Sequence, residues 1–159
     1  MATANTNVTV RPANAADAID CSTVLCASIR KLCIPDHKGD EQTIARWLEN
    51  KTPETLQSWI ESAEATIYVA EIEGEIVGVG GLSGSEVALN YVSPDHRNRG
   101  VSRTMLKTLE RELLNRGIRT AVLTSTATAQ EFYRRNGWLD SGEPVESLGV
   151  MGYPMSKAL

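Results

Sequence analysis

Apolar positions follow a helical period in the first third of the chain and a strand period in its middle. Val8-Thr9-Val10-Arg11 reads as a short strand ended by Pro12. Over residues 13–32 the spacing of Ile19, Leu25, Ile29 and Leu32 predicts a helix, N-capped by Asn14 and ended by Pro35 and Gly39. Shorter helical pieces are expected at 42–50, containing Trp47, and at 54–62, with Leu56, Trp59 and Ile60 on one side. The period then changes. Residues 66–72 and 75–82 alternate as two strands around a Glu73-Gly74 turn, and 86–92 is a third. Met105, Leu106, Leu109 and Leu113 mark a helix over 103–116, closed by Gly117. A strand at 118–124, a helix at 128–136 closed by Gly137, and two weaker strands complete the chain.

This alternation predicts one α/β domain with a mixed sheet, spanning 1–159. A chain of 159 residues with 42% apolar and 23% charged residues is an ordinary globular mix. Such a chain buries about two-thirds of its unfolded surface and needs no disulfide or structural metal. No run of 18 apolar residues occurs, and the polar stretch 1–12 has no signal-peptide core, so no membrane partner is expected. Cys21, Cys26 and Cys33 are an odd set without a CxxC pair, and read as buried free thiols in a reducing cytoplasm. With His37 they lack the spacing of a metal site, so no metal is expected. Trp47 and Trp59 read as core.

Charge is unevenly spread. Residues 1–92 carry a net −7, residues 93–119 a net +4 and residues 120–159 a net −1. The overall −4 argues against nucleic acid as partner, whereas a short basic segment inside an acidic chain suits a local anionic ligand. That segment opens where strand 86–92 gives way to Arg97-Asn98-Arg99-Gly100-Val101-Ser102-Arg103 and a helix. A helix N-terminus leaves backbone N–H groups unpaired, and its dipole favours phosphate. Three arginines add full charges, and Gly100 permits close backbone approach. No GxxxxGK[ST] occurs. Gly78-Val79-Gly80-Gly81-Leu82-Ser83 misses the third glycine of GxGxxG and lies within a strand, so it is no dinucleotide loop.

Tyr91-Val92-Ser93-Pro94-x-x-Arg97-x-x-Gly100-Val101-Ser102 resembles motif A of the GNAT acetyltransferase superfamily, and Ala129-x-x-Phe132-Tyr133-x-x-x-Gly137-Trp138 resembles its motif B. Ser102 stands at the last small position of motif A, and Thr126 stands where many members carry Asn. The resemblance implies a central, mostly antiparallel sheet flanked by helices. It also implies acetyl-CoA as cosubstrate, held by Tyr91, Val92, Arg97, Asn98, Arg99, Gly100, Val101, Ser102, Arg103, Thr126, Ala129 and Phe132. In this pattern strand 86–92 splays from strand 118–124, pantetheine lies in the gap, and Tyr133 contacts the departing sulfur.

An acceptor amine must lose a proton before attack. Glu86, at the start of strand 86–92 and expected to share a face with Ala88 and Asn90, is the leading base. Glu71 comes second, and water is the alternative. His96 reads as solvated. The activity implied is N-acetyl transfer to an amine by direct attack in a ternary complex. The alternatives are a silent CoA-binding module and a protein or peptide N-acetyltransferase. The −7 balance of residues 1–92 suggests a small cationic amine as acceptor. Homodimers are common in the family, and nothing in the sequence selects an interface.

Overall fold

The computed structural model describes residues 7–159. The first half of the polar N-terminal stretch therefore lies outside the described residues. β2 (Thr66–Ile72), β3 (Glu75–Ser83) and β4 (Glu86–Val92) form where the alternation places them, and β1 (Thr9–Pro12) pairs with β2. After β4 the chain crosses over through α5 (Val101–Asn115) and returns as β5 (Thr120–Ser125), parallel to β4. All other pairings among the described residues are antiparallel, in the order β1-β2-β3-β4-β5-β8-β6 with β7 on β8, where β6 is Leu139–Asp140, β7 Val145–Ser147 and β8 Val150–Ala158.

Helices α1 (Ala18–Leu32), α2 (Ile34–His37), α3 (Glu41–Leu48) and α4 (Pro53–Glu61) precede the hairpin. Cys21, Leu25 and Leu56 of this group pack on Ile67, Val69 and Val79, on one face of the sheet. On the other face Met105, Leu106, Leu109 and Leu113 of α5 pack with Leu82, Leu123, Met155 and Trp138. β3 is buried on both faces, and two of its glycines make room for α5. A Cβ at Gly78 would stand 2.9 Å from Val101 Cγ1, and one at Gly80 would collide with the Met105 side chain. The string that nearly matches GxGxxG is a seat for a helix. Among the described residues no helix is long and apolar enough to cross a membrane.

Several boundaries differ from those predicted. Asn14 caps a 3-10 turn (Ala15–Asp17), and α1 starts at Ala18. Ile19 lies on the solvent side of α1 and is 67% exposed. Pro35 does not simply stop the chain's helical path: it occupies the first turn of α2, where its missing N–H is tolerated, and Lys38 and Gly39 at positive φ end that helix. Gly117 closes α5 as expected, but Ile118 belongs to the same cap. Its N–H returns to Leu113 O at 3.0 Å, so β5 starts two residues later than the pattern suggested. Three strands, not two, close the chain: β6 (Leu139–Asp140), β7 (Val145–Ser147) and the nine-residue β8 (Val150–Ala158), which is long enough to pair β5, β6 and β7.

The most consequential departure is in β4. Val87 pairs with Leu82 and Leu89 with Gly81, so Ala88 is an extra, unpaired residue: a β-bulge. Val87 consequently packs with the α5-side core, whereas Leu89, two residues on, packs with the α1-side core. Simple alternation would put both on one face. Glu86 precedes the bulge and therefore does not share a face with Asn90. It pairs with Ser83 on the side of the sheet that carries α1.

Candidate active site

β4 and β5 meet at one bridge, Glu86 with Val122, and diverge beyond it. The outward edge of β4 after Glu86 therefore has no strand partner. The gap, lined by Val87–Tyr91 and Thr124–Thr126, opens into a cleft of about 430 Å³.

One wall of the cleft is the loop from β4 to α5. Asn98 and Gly100 adopt left-handed conformations (φ +65° and +81°), which turn the backbone around the start of α5. A Cβ at Gly100 would meet no atom within 4 Å, so glycine answers a conformational demand there and not a steric one. No side chain caps α5, leaving the N–H groups of its first turn free for a ligand. Tyr91, Val92, Arg97, Asn98, Gly100, Val101, Ser102 and Arg103 all line the cleft. Arg99 does not.

The facing wall is the 126–129 turn and α6 (Gln130–Arg135), contributing Thr126, Thr128, Ala129, Phe132, Tyr133 and Arg135. α6 is shorter than its apolar pattern implied because the preceding residues are held in a capped turn. Thr126 Oγ1 accepts from Ala129 N at 3.1 Å. Asp36 reaches over from α2, accepting from Ala127 N at 2.7 Å, from Thr128 N at 3.2 Å and from the Thr128 hydroxyl at 2.5 Å. Nothing in the sequence pairs Asp36 with a segment more than 90 residues away.

Tyr133 sits where gap and cleft join. Its ring meets Phe132 edge-on at 5.2 Å and Trp138 at 6.0 Å. Trp138 is in turn pinned by Glu110, which accepts from its indole N–H at 3.0 Å. Burial pushes the Tyr133 hydroxyl up to about 12, and the adjacent Asn90 amide partly opposes that shift. Asn90 donates to Ser102 O at 3.4 Å, while its buried Oδ1 has no hydrogen-bond partner. Tyr91 is also held neutral, chiefly by burial.

Several candidates lie elsewhere. Glu86 marks the closed end of the gap and lines neither it nor the cleft. Glu71 accepts from Arg11 Nε at 2.8 Å, two strands away from β4. His96, by contrast, lines the cleft, and it is half-buried where solvation was expected: it lies against Ser93 Oγ at 3.2 Å and Glu75 at 3.8 Å. Cys21 and Cys33 are buried, and burial raises both thiols to about 12, far from thiolate character. Trp47 is buried as expected.

The acidic balance of residues 1–92 does not reach the cleft. Ser28, Leu32 and Cys33 are the residues of this part of the chain before Asn90 that line it, and they are uncharged. Asp20, Glu75 and Asp95 border a separate groove of about 290 Å³.

A family model described as the acetyltransferase (GNAT) domain matches residues 34–159. The chain belongs to the GNAT acetyltransferase family. An acetyltransferase of Sodalis glossinidius is 43% identical over 53 residues, which are 31% of this chain and 37% of that protein. The chain thus matches little more than a third of the length of that relative. Among solved structures, a GCN5-related N-acetyltransferase from Rhodopseudomonas palustris superposes with a TM-score of 0.88 over 100% of both chains, at 22% identity. PaiA N-acetyltransferase from Thermoplasma acidophilum, solved with coenzyme A, gives 0.81 at 18% identity over 96% of this chain and 99% of that one. At these identities the likeness is one of fold.

The residues present fit a CoA thioester. Free N–H groups at α5, arginines lining both walls, an unpaired strand edge and the orphaned Asn90 Oδ1 match a ligand with phosphates at one end and amides along its length.

Proposed function

We propose that this single domain is an acetyl-CoA-dependent N-acetyltransferase in which an amine attacks the thioester directly. The observation that carries the proposal is the β4–β5 gap: a strand edge left open beside a helix N-terminus, with Tyr133 at the junction. The free edge of β4 offers Tyr91 and Val92 backbone groups to the pantetheine amides. The helix N-terminus with Arg97 and Arg103 holds the pyrophosphate. A backbone N–H near Val92 is placed to polarise the thioester carbonyl. The Tyr133 hydroxyl donates to the sulfur as negative charge develops on it.

Water, not Glu86, is the proton acceptor we propose at the amine. Five residues of strand put Glu86 roughly 16 Å along β4 from Tyr91, and the bulge turns it away from Asn90. With no carboxylate on the Ser28–Leu32–Cys33 wall, where we propose that the acceptor enters, the acceptor class is left open between small amines and peptide amines. Among the described residues, buried free thiols suit a reducing compartment.

The test is calorimetry with acetyl-CoA, followed by thiol release against a panel of amines and peptides. Gly100→Glu places a carboxylate at the phosphate site and should weaken binding at least tenfold, about 1.4 kcal/mol. Unchanged affinity in a folded Gly100→Glu variant would remove the site. Binding without thiol release for any acceptor would instead favour a silent CoA-binding module.

A further inference from the structure

We propose that Arg135 is the anchor for the 3′-phosphate of CoA, an inference that rests on the cosubstrate proposed above. The cleft is lined by three arginines, and they are not equivalent. Arg97 and Arg103 flank the free N–H groups of α5, at the end suited to a pyrophosphate. Arg135 lies on the opposite wall, in the last turn of α6.

The immediate surroundings leave Arg135 available. Its neighbour Arg134 turns the other way and is engaged twice, at 2.8 Å with Glu131 and at 2.9 Å with Asp140. Arg135 forms no ion pair among the described residues. Glu131, which also borders the cleft, has its charge answered by Arg134. A third cation on a separate wall therefore faces the cleft without a counter-ion.

A pyrophosphate alone does not account for this arrangement. CoA carries a third phosphate, a ribose monoester with a charge between −1.5 and −2 near neutral pH, by analogy with other phosphomonoesters. Its three terminal oxygens suit the donor fork of a guanidinium. Arg135 thus reads the one group that separates CoA from its 3′-dephospho form.

The experiment is a cycle of two ligands and three proteins. CoA and 3′-dephospho-CoA are titrated calorimetrically into the wild type, Arg135→Gln and Arg134→Gln. The wild type should bind CoA roughly tenfold tighter, the scale of one hydrogen bond to a charged group. Arg135→Gln should weaken CoA by that factor, leave 3′-dephospho-CoA within twofold, and so abolish discrimination. Arg134→Gln should retain it. Added salt should narrow the wild-type difference, because the contact is exposed. Equal weakening of both ligands by Arg135→Gln, undiminished discrimination in that variant, or no discrimination in the wild type would each overturn the assignment. Failure of the wild type to bind either ligand would instead overturn the cosubstrate.

Discussion

Tyr133→Phe removes one hydroxyl from the junction of gap and cleft and keeps the ring packed against Phe132 and Trp138. Its effect can be sized from the environment. Burial places the phenol at about 12, whereas a CoA thiol resembles cysteine at about 8.5. Full proton transfer to the thiolate is then uphill by roughly 5 kcal/mol, at about 1.36 kcal/mol per unit. A complete transfer in the rate-limiting step would hand back much of what it gained. A hydrogen bond to the developing thiolate carries no such penalty and is worth about 1.5–3 kcal/mol. Phenylalanine should therefore lower kcat on the order of 10–100-fold and leave acetyl-CoA affinity nearly unchanged, because the interaction strengthens only as charge develops. The assay is thiol release at saturating acceptor beside calorimetric Kd, repeated across pH. Wild type should show no tyrosine-dependent fall in rate below pH 10. Full kcat with a raised KM would make Tyr133 a wall of the pocket. An alkaline limb lost in the variant would show that the proton is transferred.

Asp36→Asn replaces a carboxylate that accepts from two backbone N–H groups and a hydroxyl; it should lower the urea midpoint by about 1–3 kcal/mol equivalent and weaken acetyl-CoA binding through the 126–129 wall. An unchanged midpoint would show that the turn holds itself. Gly80→Ala pushes a Cβ into the buried Met105 side chain and should destabilise by about 1–3 kcal/mol in thermal unfolding, with the match of α5 to the sheet disturbed. The Arg11 guanidinium, donating to the Asp17 carboxylate at 2.8 Å, holds that carboxyl below its ordinary range, with burial opposing. The stability this contributes is present above the unfolded value near pH 4 and is lost as pH falls through the lower native value. Asp17→Asn should thus lower stability at pH 7 and flatten its decline below pH 4, which urea titrations at each pH would read.

The helices and strands that run long with one period were legible: β2, β3, β4 and α5 stand within two residues of their predicted bounds. The cleft wall built by the 97–103 loop was legible because its parts are contiguous. Loop glycine, arginines and helix start are consecutive in sequence, so their chemistry is written locally. What escaped depends on register or distance. A bulge adds a residue without altering composition, and the Glu86–Ala88–Asn90 alternation looks identical with or without it. The Asp36 clamp joins segments far apart in the chain, and no local pattern announces such a contact. Arg135 looked like any helix-end arginine until the cleft fixed which of the Arg134–Arg135 pair has a partner.

Charge totals misled about the acceptor for a related reason. Summed over residues 1–92, the excess of acid suggested a field for cations, but a field acts through placement. Around the cleft those acids are absent or engaged: Asp36 is committed to the 126–128 turn, Glu71 and Asp17 to Arg11, and Asp20 and Glu75 face another groove. The charges that line the cleft without an ion-pair partner are arginines, Glu131 being paired with Arg134, and they suit the phosphates of the proposed cosubstrate. We propose that selection of the acceptor falls to the neutral surface of Ser28, Leu32, Cys33 and Tyr91, where shape and hydrogen bonding discriminate and charge does not. Within that surface Ser28 and Cys33 are small, and the half-buried Tyr91 is held neutral. On that proposal an amine arriving there meets no carboxylate to hold it protonated, which favours the free base that attack requires.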